Sequence, residues 1–218
     1  MLARILGLRQ THQYPEALAL IDEMFSEFFG LSAGIVNHLS ERDLIAMVTV
    51  GEEVDSGRLL ILAELLKAEG DVHADQGSTA ESYSRYLKSL NLFLEIARLA
   101  NTTELPEEFS KIESIADQLK TTGLPVETQA ALLSYYEAAG KFARAEDVLF
   151  QLIESRPQSE EVIEQGIAFY ERLQGKTDTE LAAGDLPRDE VEQGLGELRE
   201  LQKTRIHFSI TTPSSPFT

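Results

Sequence analysis

Apolar side chains recur at three- and four-residue steps along almost the whole chain, and glycines and prolines punctuate the pattern. That spacing puts the apolar groups on one stripe of a 3.6-residue helix. Ala17, Leu20, Ile21, Met24, Phe25 and Phe28 form one such stripe, with Glu16, Asp22, Glu23 and Glu27 between them and Gly30 closing the segment. No segment alternates with period two for long enough to predict a strand. The pattern predicts an all-α fold.

Local chemistry places the helix ends. Ser40-Glu41-Arg42-Asp43 resembles a capping box opening a short helix through Val48, with Asp a weaker third partner than Glu. Asp55 suits the cap of a helix carrying Leu59, Leu62, Leu65, Leu66 and Ala68, which Gly77 ends. Tyr83, Tyr86, Leu87, Leu90, Leu94 and Ala97 mark a long helix to about Ala100. Pro106, followed by Glu107 and Glu108, suits a first turn leading into Phe109, Ile112, Ile115 and Leu119, with Gly123 as the stop. Further helices are predicted over 126–139, 142–155 and 159–173. A polar loop around Gly175–Asp178, a short helical piece and a last helix from about Pro187 follow; the last carries Val191, Leu195, Leu198 and Leu201.

The first helix, Met1–Leu8, begins without a capping residue and is apolar on more than one side. It either frays or continues a helix begun upstream, and it is no signal peptide, having one basic residue and no small-residue cleavage site. Residues 205–218 read as a polar tail, poorly ordered or extended, with Thr212-Pro213-Ser214-Ser215-Pro216 as turn-and-coil composition. One helical domain over 1–204 is expected. Asn101-Thr102-Thr103 matches a glycosylation acceptor and reads better as a helix-ending Asn.

Composition removes several functions. The chain has 218 residues and a formal net charge of −18, split as −7 over 1–100 and −11 over 101–218. Neither half offers the Lys/Arg surplus that neutralises phosphates, so nucleic acid is not expected as a partner. With no Cys there are no disulfides, thiolate metal sites or cysteine nucleophiles. No apolar run approaches about 18 residues, so no membrane span is expected. A cytoplasmic location is.

A helical chain with tight connections also invites a search for a period. Over 126–157, Tyr136 stands late in the first helix, Gly140 makes the turn, Phe142 follows, Ala145 sits where two helices would cross, and Pro157 closes the unit. Over 63–92, Gly70, His73, Gly77, Ser82 and Tyr86 take the corresponding places. This spacing resembles a tetratricopeptide repeat. Leu133 departs from it, since the family usually has Gly or Ala there. Two weaker copies flank these. Tyr14 and Ala17 match Phe142 and Ala145, with His12 in place of the turn glycine; Tyr170 falls 34 residues after Tyr136. Gly77 and Gly140 are 63 residues apart, short of two 34-residue periods. The chain also looks like an uncharacterised bacterial group with such repeats, through phrases such as Ala3–Leu8 and Leu59–Leu66. The resemblance implies a TPR-like α-solenoid of about four degenerate units with irregular C-terminal helices.

It also implies a site. In that family the first helix of each pair lines a concave groove. Here that face would carry Glu64, Lys67, Asp71 and Asp75, then Glu127, Ala130, Ser134 and Glu137, then Glu161, Glu164 and Glu171. The face is acidic and lacks the Lys, Arg and Asn set that grips acidic peptide termini. It predicts a protein or peptide partner that is basic or amphipathic. The plainer reading is that these are solvated helix positions. The expected function is a non-enzymatic interaction scaffold or adaptor without cofactors, self-associating as a homodimer through its N-terminal hairpin.

The alternative is a metal-dependent or hydrolytic enzyme in a helical fold, which needs three or more converging ligands. His12, His38, His73 and His207 are scattered. Asp71 and Asp75 share a helix face, from which His73 points away. Glu52, Glu53 and Asp55 read as an acidic capping turn rather than a cation loop, and Gly194-Leu195-Gly196 has no preceding strand to make it a phosphate loop. No catalytic, metal or cofactor residue is assigned.

Overall fold

Capping groups set the helix boundaries much as their chemistry requires. The computed structural model describes residues 2–100 and 110–211, with side chains to Arg205. The described chain is all-α and 80% helical. The expected first turn at Pro106–Phe109, the Asn101 helix end and the coil from Thr212 onward lie outside the described residues.

The first seven helices are α1 (Leu2–Gln10), α2 (Tyr14–Phe29), α3 (Ala33–His38), α4 (Glu41–Met47), α5 (Ser56–Asp75), α6 (Thr79–Ala100) and α7 (Ser110–Leu119). Gly30 ends α2 with a left-handed φ of 69°, which a residue without Cβ adopts freely. Ser40 and Asp43 close a reciprocal capping box on α4. Asp55 caps α5 by accepting from the Arg58 amide at 3.0 Å. Helix α3 was not expected. It is one and a half turns, too short to show a period, and it is tied down from outside: Asp22 accepts from the Ala33 amide at 2.7 Å. Between α4 and α5, strands β1 (Thr49–Val50) and β2 (Glu53–Val54) pair antiparallel around Gly51. Two residues per strand leave no legible alternation.

The remaining helices are α8 (Val126–Ala138), α9 (Phe142–Ser155), α10 (Glu160–Gln174), α11 (Asp178–Ala183) and α12 (Arg188–Thr211). The backbone of α12 is helical to Thr211, across the start of the segment that the sequence reads as a poorly ordered or extended tail. By its internal packing the chain falls into two compact units, Met1–Pro125 and Val126–Thr218.

In the first unit α5 and α6 form the central hairpin, turning through Gly77 at φ 74°. Leu59, Leu62, Leu66, Leu90 and Phe93 are fully buried between its faces and the surrounding helices. Helix α2 packs on α5, and α1 packs on α2. The turn from α1 to α2 passes through His12 at φ 57°, the left-handed conformation that the equivalent glycines supply elsewhere. The α2 stripe ends on Phe29, which is buried, while Phe28 is 37% exposed. The sequence stripe includes Phe28, but Phe29 lies one helical turn after Phe25 and takes the inner position. In the second unit α8 and α9 form a hairpin through Gly140, and α10 packs on α12.

Gly70 and Gly166 both lie at helix contacts, against different kinds of neighbour. A methyl group on Gly70 would come within 2.9 Å of the Tyr86 ring and 3.2 Å of Arg85 Cβ. A methyl on Gly166 would meet only the flexible ends of Leu198 and Leu149. Overpacking against a rigid ring costs about 1–3 kcal/mol, whereas alanine gains about 1 kcal/mol of helix propensity. Gly70→Ala is therefore expected to lose about 1 kcal/mol net, and Gly166→Ala to stay nearer neutral. Urea unfolding of both variants checks this; a Gly70→Ala protein as stable as the parent would show that Tyr86 is free to move.

Candidate functional site

The outward face of α5 follows from its sequence. Glu64, Lys67, Asp71 and Asp75 fall at three- and four-residue steps and lie along one side. Partners from other helices meet that side. Lys111 of α7 pairs with Glu64. Lys67 reaches Asp71 at 3.0 Å. Arg9 of α1 donates Nη1 to Asp71 at 2.8 Å and Nε to Asp75 at 2.9 Å. The Tyr86 hydroxyl donates to Asp71 Oδ1 at 2.8 Å. Burial, reinforced by the Asp71 carboxylate, holds that phenol well above the ordinary tyrosine pKa, so it stays a donor. The four predicted residues are thus brought together, but as members of ion pairs. A cavity of about 440 Å³ opens beside them, with Tyr83, Gln118 and Thr122 among its walls.

Behind this face lies a buried cluster that the sequence did not single out. Glu69 of α5 is only 4% exposed. Its Oε1 accepts from Asn37 Nδ2 at 2.8 Å and lies 3.1 Å from Arg85 Nε. His73 Nε2, one turn along, is 3.7 Å away. His73 is therefore turned from Asp71 and Asp75, as the helical spacing predicts, and those two carboxylates are held by Arg9. Lys88 donates to the carbonyls of Asn37 (2.8 Å) and Leu39, closing the C-terminus of α3, and burial lowers its pKa. A signal for the cluster was present: Glu69 interrupts the apolar stripe between Leu66 and Val72. Its partners, 16 and 32 residues away along the chain, carry none. Chemically the cluster joins α3, α5 and α6 through an amide, a carboxylate, an imidazole and a guanidinium.

In the second unit the predicted residues do not converge. Glu127, Glu161 and Glu164 are exposed. Ser134 donates back to the Ala130 carbonyl of its own helix at 3.1 Å. Glu137 accepts a two-pronged contact from Arg172, at 2.6 and 2.8 Å, and Glu171 accepts from Arg199 at 2.8 Å. Gly194 and Leu195 are packed inside α12, Gly194 against the Tyr170 ring. Among the described residues no group of three or more His, Asp or Glu is arranged to hold a metal ion. His12 and His38 make local contacts, with the Tyr14 hydroxyl and the Gly34 carbonyl. The side chain of His207 lies outside the described residues. No described helix is long and apolar enough to cross a membrane.

Glu146 of α9 is a half-buried carboxylate of this unit. Burial raises its pKa. The hydrogen bond from Tyr170, at 2.6 Å, opposes that rise, and Glu190, Asp147 and Glu197 add to it. The folded state therefore holds the proton more tightly than the unfolded chain. Stability from this group is full below the ordinary glutamate value and is lost as pH rises through the raised one. Between about pH 4 and pH 7 the parent should lose stability relative to Glu146→Gln. Urea unfolding at the two ends of that range reads the difference; parallel behaviour of the two proteins would contradict it.

No curated protein and no solved structure matches the chain. The model of one family, DUF6483, described as a family of unknown function, matches residues 6–203. That match spans both compact units, so the chain belongs to this family of unknown function.

Proposed function

We propose that the chain is a non-enzymatic protein–protein interaction module, a scaffold or adaptor built from TPR-like helical hairpins and working in the cytoplasm. The observation that carries this reading is the construction of the hairpins. The α5–α6 and α8–α9 pairs each turn through one left-handed glycine, Gly77 and Gly140. Each buries a small residue soon after that turn, Ser82 in α6 and Ala145 in α9. The α1–α2 pair repeats the turn with His12 and buries Ala17 in the same place. Units of this kind bury their stripes by stacking and leave side faces open to segments of other proteins. Fold alone does not fix function, so the partner has to be argued from the surfaces.

A basic or amphipathic partner is the chemistry that a chain of net charge −18 attracts. Glu127, Glu161 and Glu164 stay available for it. The ion pairs on α5 narrow the acidic surface in the first unit, because a partner there has to exchange with cations already in place. Self-association through the N-terminal hairpin is part of the proposal. Leu2 and Leu6, one turn apart on α1, are 37% and 48% exposed.

Capture on the immobilised full chain from its native lysate, at low and at high salt, tests the partner reading. Basic segments held at low salt and released at high salt are expected. Acidic partners, or retention indifferent to salt, would overturn it. Sedimentation at micromolar concentration tests self-association; a 24.2 kDa species would refute the dimer.

A further inference from the structure

The second unit contains two helix pairs, and a carboxylate stands between them. Helix α8 packs chiefly on α9, and α10 on α12. The pairs meet at an apolar patch and through polar contacts. At the patch, Leu149 of α9 and Leu198 of α12 close on Gly166 of α10. The Ala143 amide of α9 donates to the Gly184 carbonyl at 3.0 Å, and Arg172 of α10 donates to Glu137 of α8. The Tyr170 hydroxyl of α10 donates to Glu146 of α9 at 2.6 Å.

Geometry sets this last contact apart. Gly194 of α12 lies against the ring and the hydroxyl of Tyr170, the same hydroxyl that donates to Glu146. Glu190 and Glu197 stand four residues before Gly194 and three after it, so they share its helix face. The Glu146 carboxylate is thereby carried across to α12, between two acids. The titratable groups facing it are the Tyr170 phenol from α10, Glu190 and Glu197 from α12, and Asp147 on its own helix. The arginines of α10 and α12 that bear on this unit are engaged elsewhere: Arg172 with Glu137, Arg199 with Glu171 and Arg188 with Asp178.

With its proton, Glu146 carries no charge into this seam, and its carbonyl oxygen still accepts from the phenol. Without the proton it faces three carboxylates in a half-buried position, where like charges repel more strongly than they do in bulk water. The phenol offsets part of that repulsion, since it donates more strongly to an anion. The remainder pushes α9 away from α12.

We propose that the seam is a proton-operated clasp: a protonated Glu146 holds α9 closed on α10 and α12, and loss of the proton loosens α9 locally and opens the apolar patch around Leu149 and Leu198. The opening belongs to the second unit. Helices α10 and α12 keep their own packing through Tyr170 and Gly194, and α9 is the moving part.

Amide exchange of the full chain, followed by NMR from about pH 4 to about pH 7 and corrected for the intrinsic pH dependence of exchange, tests the clasp. Protection of the α9 amides in the parent should fall by about threefold or more relative to Glu146→Gln over that range, with α5 and α6 as the unaffected reference. Replacing the facing acids together, Glu190→Gln with Glu197→Gln, should shrink that fall while Glu146 stays in place; both side chains are exposed, so this variant keeps the core. An equal fall in the parent and Glu146→Gln, a fall unchanged in the double variant, or a fall shared equally by α5 and α6 would each overturn the proposal. If Glu146→Gln does not fold, the double variant measured against the parent decides.

Discussion

Helices α5 and α6 approach each other at a point where one of them has no side chain. With no Cβ on Gly70, the Tyr86 ring lies directly on the α5 backbone. Further along the same seam Ser89, fully buried, donates to the Ala63 carbonyl at 2.8 Å, which again requires close backbones. The consequences run outward from there. Because Tyr86 is low on α5, its hydroxyl reaches Asp71 one residue past Gly70. Because Asp71 is oriented by that bond, it can share Arg9 with Asp75, and α1 is drawn onto the hairpin. A wider seam would leave Asp71 to solvent and α1 without its polar anchor.

The second unit meets the same requirement at other positions. A methyl on Gly194 of α12 would come within 2.4 Å of Tyr170, a fully buried aromatic of α10. Tyr170 sends its hydroxyl to Glu146, as Tyr86 does to Asp71. In both units a small residue admits an aromatic, and the aromatic carries a phenol to a half-buried carboxylate. The difference is electrostatic. Asp71 is surrounded by cations, whereas Glu146 has acidic neighbours that raise its pKa.

What the sequence made legible was whatever is decided within a few residues. The capping box at Ser40, the left-handed stop at Gly30 and the bounds of α9 all depend on local chemistry. Even the turn at His12 could be placed, because the aromatic and the alanine after it keep their spacing. The site was legible only in part. That Glu64, Lys67, Asp71 and Asp75 share a face follows from helix geometry; that Lys111 and Arg9 come to occupy it does not, since those contacts join residues far apart in the chain. The Glu69 cluster is hidden in the sequence for the same reason. An acid on an apolar stripe is recognisable, but its partners Asn37 and Arg85 are fixed by tertiary packing alone.

The division between Pro125 and Val126 carries a further consequence. Each unit encloses its own apolar interior, and each has its own aromatic seated on a glycine. A lesion in one core need not propagate to the other, so unfolding is not obliged to be a single all-or-none event. In evolutionary terms the two halves can accumulate change at different rates. A lineage could refashion the exposed acids of the second half while the Arg9 ion pairs of the first stay in place.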